Sequence, residues 1–253
     1  MRLFLVALQF LTRLPVRLAR FEPGWLNDCV RYFPVVGVLV GAVGAAVLAG
    51  ASQIWPAWVA AVLALAATVA LTGGFHEDGL ADTFDALGGV VPRDKALAIM
   101  KDSRIGSYGA LALGLSLLLR AALLAVLAAR PLWGAVAALL ASHALARAAA
   151  VGVMVSLPYG GDAEHAKAKP LALGVAPVNF AIALGWCALL LGLLAVWGIA
   201  PLKLLLAVLA AALAALAMRG WLWRRLGGYT GDGLGATEQL AEIGVLLAFT
   251  AAL

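Results

Sequence analysis

The chain has 253 residues, 64% of them hydrophobic and 12% charged, with a mean hydropathy of +1.02 and a formal net charge of +5. Such a composition excludes a soluble globular domain and places the chain among integral membrane proteins. The pI of about 9.6 follows from bases flanking the apolar runs, so nucleic acid is not expected as a partner. Cys29 and Cys187 stand alone, with no CxxC or Cys/His spacing, which argues against a disulfide framework or structural zinc.

In chain order, Met1 to Leu14 is an apolar stretch headed by Arg2. Arg13, Arg17 and Arg20 occupy the place where a signal peptide would carry its small-residue cleavage site, so the expectation is a retained interfacial or re-entrant helix. A transmembrane helix needs about 20 apolar residues, and the runs that qualify are Tyr32–Ala51, Ile54–Thr72, Tyr108–Ala129, Pro131–Leu157, Leu171–Ala200 and Pro201–Met218. A seventh, Leu234–Leu253, is weaker: it carries Glu238 and Glu242, so its first half is expected either against protein or at the interface instead of facing lipid. The fold class is therefore all-α and polytopic: about six to seven spans plus the N-terminal helix, in a single membrane-embedded domain over residues 1–253. Arg2, Arg13, Arg17, Arg20, Arg31, Arg93, Lys95, Lys101, Arg104, Lys167, Lys169, Arg219, Arg224 and Arg225 then fall on one side, against Arg130 and Lys203 on the other. That bias puts the motif-bearing loops in the cytoplasm.

Directly after Thr72 comes Gly73-Gly74-Phe75-His76-Glu77-Asp78-Gly79-Leu80-Ala81-Asp82-Thr83-Phe84-Asp85, with four carboxylates in nine residues. On a helix, Asp78, Asp82 and Asp85 stand at i, i+4 and i+7, within about 60° of one another. Three neighbouring carboxylates repel and raise one another's pKa unless a cation neutralises them. Mg²⁺ answers that need, taking one or two protein carboxylates and leaving its other positions for water and phosphate oxygens. The bland alternative is a solvated acidic helix start. His76 serves either as a general base or as a bond to the glycine turn.

Two further loops carry chemistry. Lys101-Asp102-Ser103-Arg104-Ile105-Gly106-Ser107-Tyr108-Gly109 offers an ammonium, a guanidinium, hydroxyls and backbone amides suited to phosphate. Gly227-Gly228-Tyr229-Thr230-Gly231-Asp232-Gly233-Leu234-Gly235 packs five glycines into nine residues, permitting close approach of an anionic ligand at Gly231 and Gly233, while Asp232 can complete a cation's coordination or accept from a ribose hydroxyl. Arg120 and Arg147 lie mid-span, where an arginine costs about 2.5 to 3.5 kcal/mol unless it faces a partner or a wet cavity. Arg147 is assigned either to an acid of the cluster or to a substrate phosphate. His143, one turn before it, reads as an interhelical hydrogen-bonder, and His165 sits in a polar connection.

These motifs resemble cobalamin synthase, the adenosylcobinamide-GDP ribazoletransferase family. The resemblance rests on Thr72–Asp85, Lys101–Gly106 and Gly227–Ala236, joined by Phe10-Leu11-Thr12-Arg13-Leu14-Pro15 and Tyr32-Phe33-Pro34-Val35-Val36-Gly37, five motifs in order from end to end. Ala86 stands where that family often has glycine. The resemblance implies a multi-pass enzyme of a bacterial-type inner membrane with Mg²⁺ as cofactor. A ribose hydroxyl of α-ribazole, or of its 5′-phosphate, would attack the phosphate of adenosylcobinamide-GDP nearest the corrinoid, and GMP would leave. On that basis Asp78, Asp82, Asp85, Glu77 and Asp232 are the metal candidates, and Asp85 and His76 the candidate bases. Lys101, Ser103, Arg104, Arg147, Gly231 and Gly233 are the substrate-binding candidates. A CDP-alcohol-type membrane phosphotransferase is the alternative, with a transporter ranked below it. The expected partners are the two substrates and the lipid bilayer, with homo-oligomerisation or association with other cobalamin-pathway enzymes left open.

Overall fold

A computed structural model describes residues 2–18, 20, 22–161 and 174–252. His165, Lys167 and Lys169, read above as part of a cytoplasmic connection, lie outside the described residues. The elements are α1 (Arg2–Leu11), α2 (Trp25–Cys29), a 3-10 turn (Val30–Tyr32), α3 (Phe33–Ala51), α4 (Ala57–Thr72), α5 (Phe75–Gly88) and α6 (Arg93–Met100). There follow α7 (Ser107–Ala128), α8 (Leu132–Ser156), α9 (Pro177–Val196), α10 (Pro201–Leu226) and α11 (Gly231–Thr250). Among the described residues there is no strand, only an isolated bridge between Tyr159 and Tyr229.

Among the described residues, five helices are long and apolar enough to cross a membrane: the continuous Trp25–Ala51 segment, α7, α8, α9 and α10. Proline starts α9 at Pro177 and α10 at Pro201, where its missing N–H costs nothing. At the centre stands α8, 83% buried over its most apolar window, whereas the corresponding window of α10 is 22% buried and turns Leu202, Leu205, Leu209, Leu213 and Leu216 outward. The contrast follows from side-chain size. The alanines of α8 let neighbours approach closely, and an ideal Cβ on Gly37 or Gly41 of α3 would collide with the carbonyls of His143 and Leu139.

Two expectations change. The span Ile54–Thr72 begins only at Ala57, and its 16 residues reach about 24 Å, short of the roughly 30 Å hydrocarbon core. It turns by 88° into α5, so the spans number five, or six with this bent pair. The turn is made by Gly73 (φ 72°) and Gly74 (φ 70°), consecutive residues in the left-handed region that side chains rarely adopt. The seventh run becomes α11, an internal helix in which Glu238 and Glu242 are almost wholly buried against α5, α7 and α8, as their charge required.

Candidate active site

The acidic segment forms α5, which lies across the end of the bundle. Its backbone meets the first turn of α11 at Gly79: a Cβ there would come within 2.9 Å of the Asp232 carbonyl oxygen and 3.3 Å of Gly235 Cα. Absence of side chains on both sides thus brings the α5 backbone between Asp78 and Asp82 against Asp232. Asp78 is exposed, and Asp82 and Asp232 are half-buried. Thr230 caps α11 by accepting from the Gly233 amide at 3.0 Å.

Asp85, at the far end of this face, serves another purpose. Its two carboxylate oxygens accept from the amides of Gly106 (2.6 Å) and Gly109 (2.8 Å), closing the start of α7. Gly106 and Gly109 are glycines because any Cβ there would strike that carboxylate. Asp85 therefore pins the 101–106 loop to α5, with both oxygens committed.

Helical rotation sends the neighbouring acids elsewhere. Glu77 and His76 turn into the bundle and join a buried cluster built from four helices. Arg120 Nη1 of α7 lies 2.9 Å from Glu77 Oε1 and donates at 2.7 Å to Gln239 Oε1, while its Nη2 is 2.8 Å from Glu242 Oε1. Arg147 Nη1 of α8 lies 2.8 Å from Glu238 Oε1, and the other oxygen of Glu238 is 2.7 Å from His76 Nε2. His143 Nδ1 sits 3.3 Å from Glu242 Oε2. Each guanidinium is thus paired with carboxylates where isolated charges would be prohibitive, two guanidiniums standing against three carboxylates. Arg147 is 1% exposed and His76 4%, so neither faces the outside of α5.

The basic loop is also partly committed. Arg104 clasps Asp102 with Nη2 to Oδ2 at 2.6 Å and Nε to Oδ1 at 3.0 Å, both residues outside the bundle. The Arg104 side-chain hydrogen bonds, followed by that of its amide, pull the Asp102 carboxyl down to about 2. Lys101 and Ser103 are exposed. Gly231 has open space around it, whereas Gly233 packs against Leu222, its missing Cβ leaving room for that side chain. Gly228 crosses the backbone of Pro158 and Gly160, with the Gly160 amide donating to the Tyr229 carbonyl at 2.7 Å. Much of the glycine-rich motif is spent on this crossing.

Where α4 turns into α5, a cleft of about 550 Å³ opens, lined by Gln9, Phe10, Thr12, Arg13, Thr72, Gly73, Gly74, Phe75 and Asp78. Gln9, Thr12 and Arg13 were not singled out as site residues from sequence. The signal for them was the Phe10–Pro15 motif, which charge counting had absorbed into topology. The Arg13 amide donates to Leu71 O at 2.8 Å, tying the segment after α1 to the end of α4.

The donors suit a hard oxygen-seeking cation in one specific style. Among the described residues, no three of His, Cys, Asp and Glu converge as a metal cage. Asp78 and Asp82 stand one turn apart on α5, whose backbone at Gly79 meets that of Asp232, and Mg²⁺ usually takes one or two carboxylates when phosphate and water complete its shell.

The family model described as Cobalamin-5-phosphate synthase matches residues 3–250. An adenosylcobinamide-GDP ribazoletransferase of Leptothrix cholodnii is 52% identical, covering 99% of this chain and 95% of that protein. Those of Albidiferax ferrireducens and Shewanella amazonensis are each 44% identical, covering 97% and 98% of this chain and 96% and 94% of their own lengths. No solved structure matches significantly.

Proposed function

The chain belongs to the cobalamin-5-phosphate synthase family, and from that premise we propose that it joins α-ribazole, or its 5′-phosphate, to adenosylcobinamide-GDP with release of GMP. The observation that carries the proposal is the division of α5: Glu77 and His76 close the bundle from inside, while Asp78 of the same turn borders an open cleft. A ribose hydroxyl oxygen forms a bond to the phosphorus nearest the corrinoid, the bridging P–O bond breaks, and GMP departs. The hydroxyl proton leaves to water at the open cleft, since Asp85 is turned towards the Gly106 and Gly109 amides and His76 towards Glu238.

Such a displacement depends on in-line positioning and charge neutralisation more than on covalent help from the protein. Asp78 and Asp82, with Asp232 beside them, would hold Mg²⁺, which supplies Lewis-acid polarisation of phosphoryl oxygens when bound. Asp85 acts as a positioning residue, holding the loop that carries Lys101, Ser103 and Arg104 against the acidic helix. This face is read as lying at a membrane edge, a reading supported by the apolar helices, and the charge bias of the loops supports the cytoplasmic side of a bacterial-type inner membrane. A transporter reading loses its main support, since Arg120, His143 and Arg147 are already matched by Glu77, Glu238 and Glu242.

The test is turnover by purified protein. GMP should appear in step with a cobalamin product only when adenosylcobinamide-GDP, an α-ribazole acceptor and Mg²⁺ are all present. Transfer from a CDP-linked lipid, or rapid GMP release without acceptor, overturns the assignment.

A further inference from the structure

The diphosphate of the proposed substrate needs a cation from the protein, and the arginines first considered for that task are engaged. Arg147 is buried against Glu238, and Arg104 is forked onto Asp102. Arg13 is the one cation among the described residues lining the cleft that Asp78 also borders, and its guanidinium makes no ion pair or hydrogen bond with them. We propose that Arg13 is the phosphate-binding guanidinium of this site and grips the diphosphate of the nucleotide-activated substrate. This inference rests on the ribazoletransferase proposal.

Arg13 is exposed, and three features prepare it as a ligand. Its backbone is locked, since its amide donates to Leu71 O at 2.8 Å and Thr12 before it is buried, with Oγ1 bonded to Leu8 O at 2.6 Å. Its side chain lies flat across Gly73, where any Cβ would collide with its Nε. The same glycine that bends α4 into α5 therefore leaves the space in which the guanidinium sits. Finally, cation and carboxylate share one cleft without an ion pair between them, an arrangement that suits a bridging ligand: phosphate oxygens facing the guanidinium on one side and a carboxylate-held cation on the other. A planar fork also takes two oxygens of one phosphate, which an ammonium does not.

The proposal separates the two substrates. As the bond to GMP breaks, negative charge grows on the leaving phosphate, and a guanidinium there stabilises it. Arg13→Ala should therefore lower kcat/KM for adenosylcobinamide-GDP by about 100-fold and weaken GMP binding at least tenfold, as loss of a charge-assisted pair predicts. The KM for α-ribazole and the thermal unfolding midpoint should stay unchanged, and Arg13→Lys should fall between.

The experiment uses the full chain in detergent with Mg²⁺. Steady-state kinetics are run against each substrate, with direct binding of GMP and inorganic pyrophosphate. Wild-type kcat/KM and GMP affinity in Arg13→Ala overturn the inference, as does an effect confined to the KM for α-ribazole. If Arg13→Ala fails to accumulate, Arg13→Lys decides, and unchanged kinetics with unchanged GMP affinity overturn it. If wild-type protein makes no cobalamin product, the ribazoletransferase proposal fails. Pyrophosphate affinity then still tests Arg13: a tenfold loss in Arg13→Ala sustains its role, and no loss ends it.

Discussion

Glu77 and Asp78 are neighbours in sequence and opposites in fate. Glu77, 8% exposed, is spent on Arg120 and Gln239 inside the bundle, while Asp78 stands exposed at the edge of a cleft. About 100° of helical rotation separates a charge that holds the protein together from one available for chemistry. The two sets also differ in how they tolerate charge. The buried set of Arg120, Arg147, Glu77, Glu238 and Glu242 is ion-paired within itself, so removing an arginine strands carboxylates in a low-dielectric interior. In the outer set, Asp78 and Arg13 border an open cleft, and Asp82 and Asp232 are half-buried; the proposed function completes that set with substrate and cation. Charged residues in a membrane protein are commonly read as functional by default. Here the more deeply placed ones are paired with one another.

The largest effect should come from breaking the inner set. Arg120→Met leaves Glu77 and Glu242 without their guanidinium, with an expected loss of about 3 to 5 kcal/mol. Thermal unfolding in detergent and the yield of folded protein will report it. A stable Arg120→Met protein with lost turnover would instead move Arg120 to the chemical side of the comparison.

Asp82→Asn is the matching test of the outer set. Turnover should fall by more than about 100-fold, since changing even the groups that support metal ligands costs 10- to 100-fold, while the unfolding midpoint stays near wild type. Activity with wild-type Mg²⁺ dependence would show Asp82 to be a helix-surface acid.

Asp85 lies between the two classes, and Asp85→Asn should affect both readouts. An amide cannot accept two N–H bonds as a carboxylate does, and its NH₂ would face one of the donors. A loss of about 1.5 to 3 kcal/mol is expected, together with a higher KM from the loosened 101–106 loop. Full activity with lowered stability would confine Asp85 to architecture.

The smallest effect belongs to the exposed Asp102–Arg104 pair. The Asp102 carboxyl is held at about 2, below its ordinary 3.8. Its contribution to loop order is therefore present above the ordinary carboxylate range and is lost as pH falls from about 4 through 2. Titration of labelled Asp102 by NMR checks the value. With Arg13 as the phosphate ligand, adding adenosylcobinamide-GDP should leave it unchanged, whereas a rise towards 3.8 would show Arg104 leaving Asp102 for substrate.

The local part of this protein was legible in its sequence. Spans announce themselves by length and apolarity, which is why the apolar runs coincide with α3, α7, α8, α9 and α10, although α10 continues to Leu226, eight residues past Met218. The shared face of Asp78, Asp82 and Asp85 follows from helical periodicity alone, and Glu238 with Glu242 marked the first half of α11 as turned away from lipid because an acid there is too costly. What the sequence could not show is which way each face of α5 points. That depends on an 88° turn at two left-handed glycines and on Gly79 meeting Gly235. The partners that claim Glu77, His76 and Arg147 come from α7 and α11, brought together only by packing. Arg13 likewise reaches the cleft because its amide is tied to the end of α4. Periodicity is a property of one helix, whereas satisfaction of a buried charge is a property of all the helices around it, so only the tertiary structure decided which charges are paired inside the bundle and which border the open cleft.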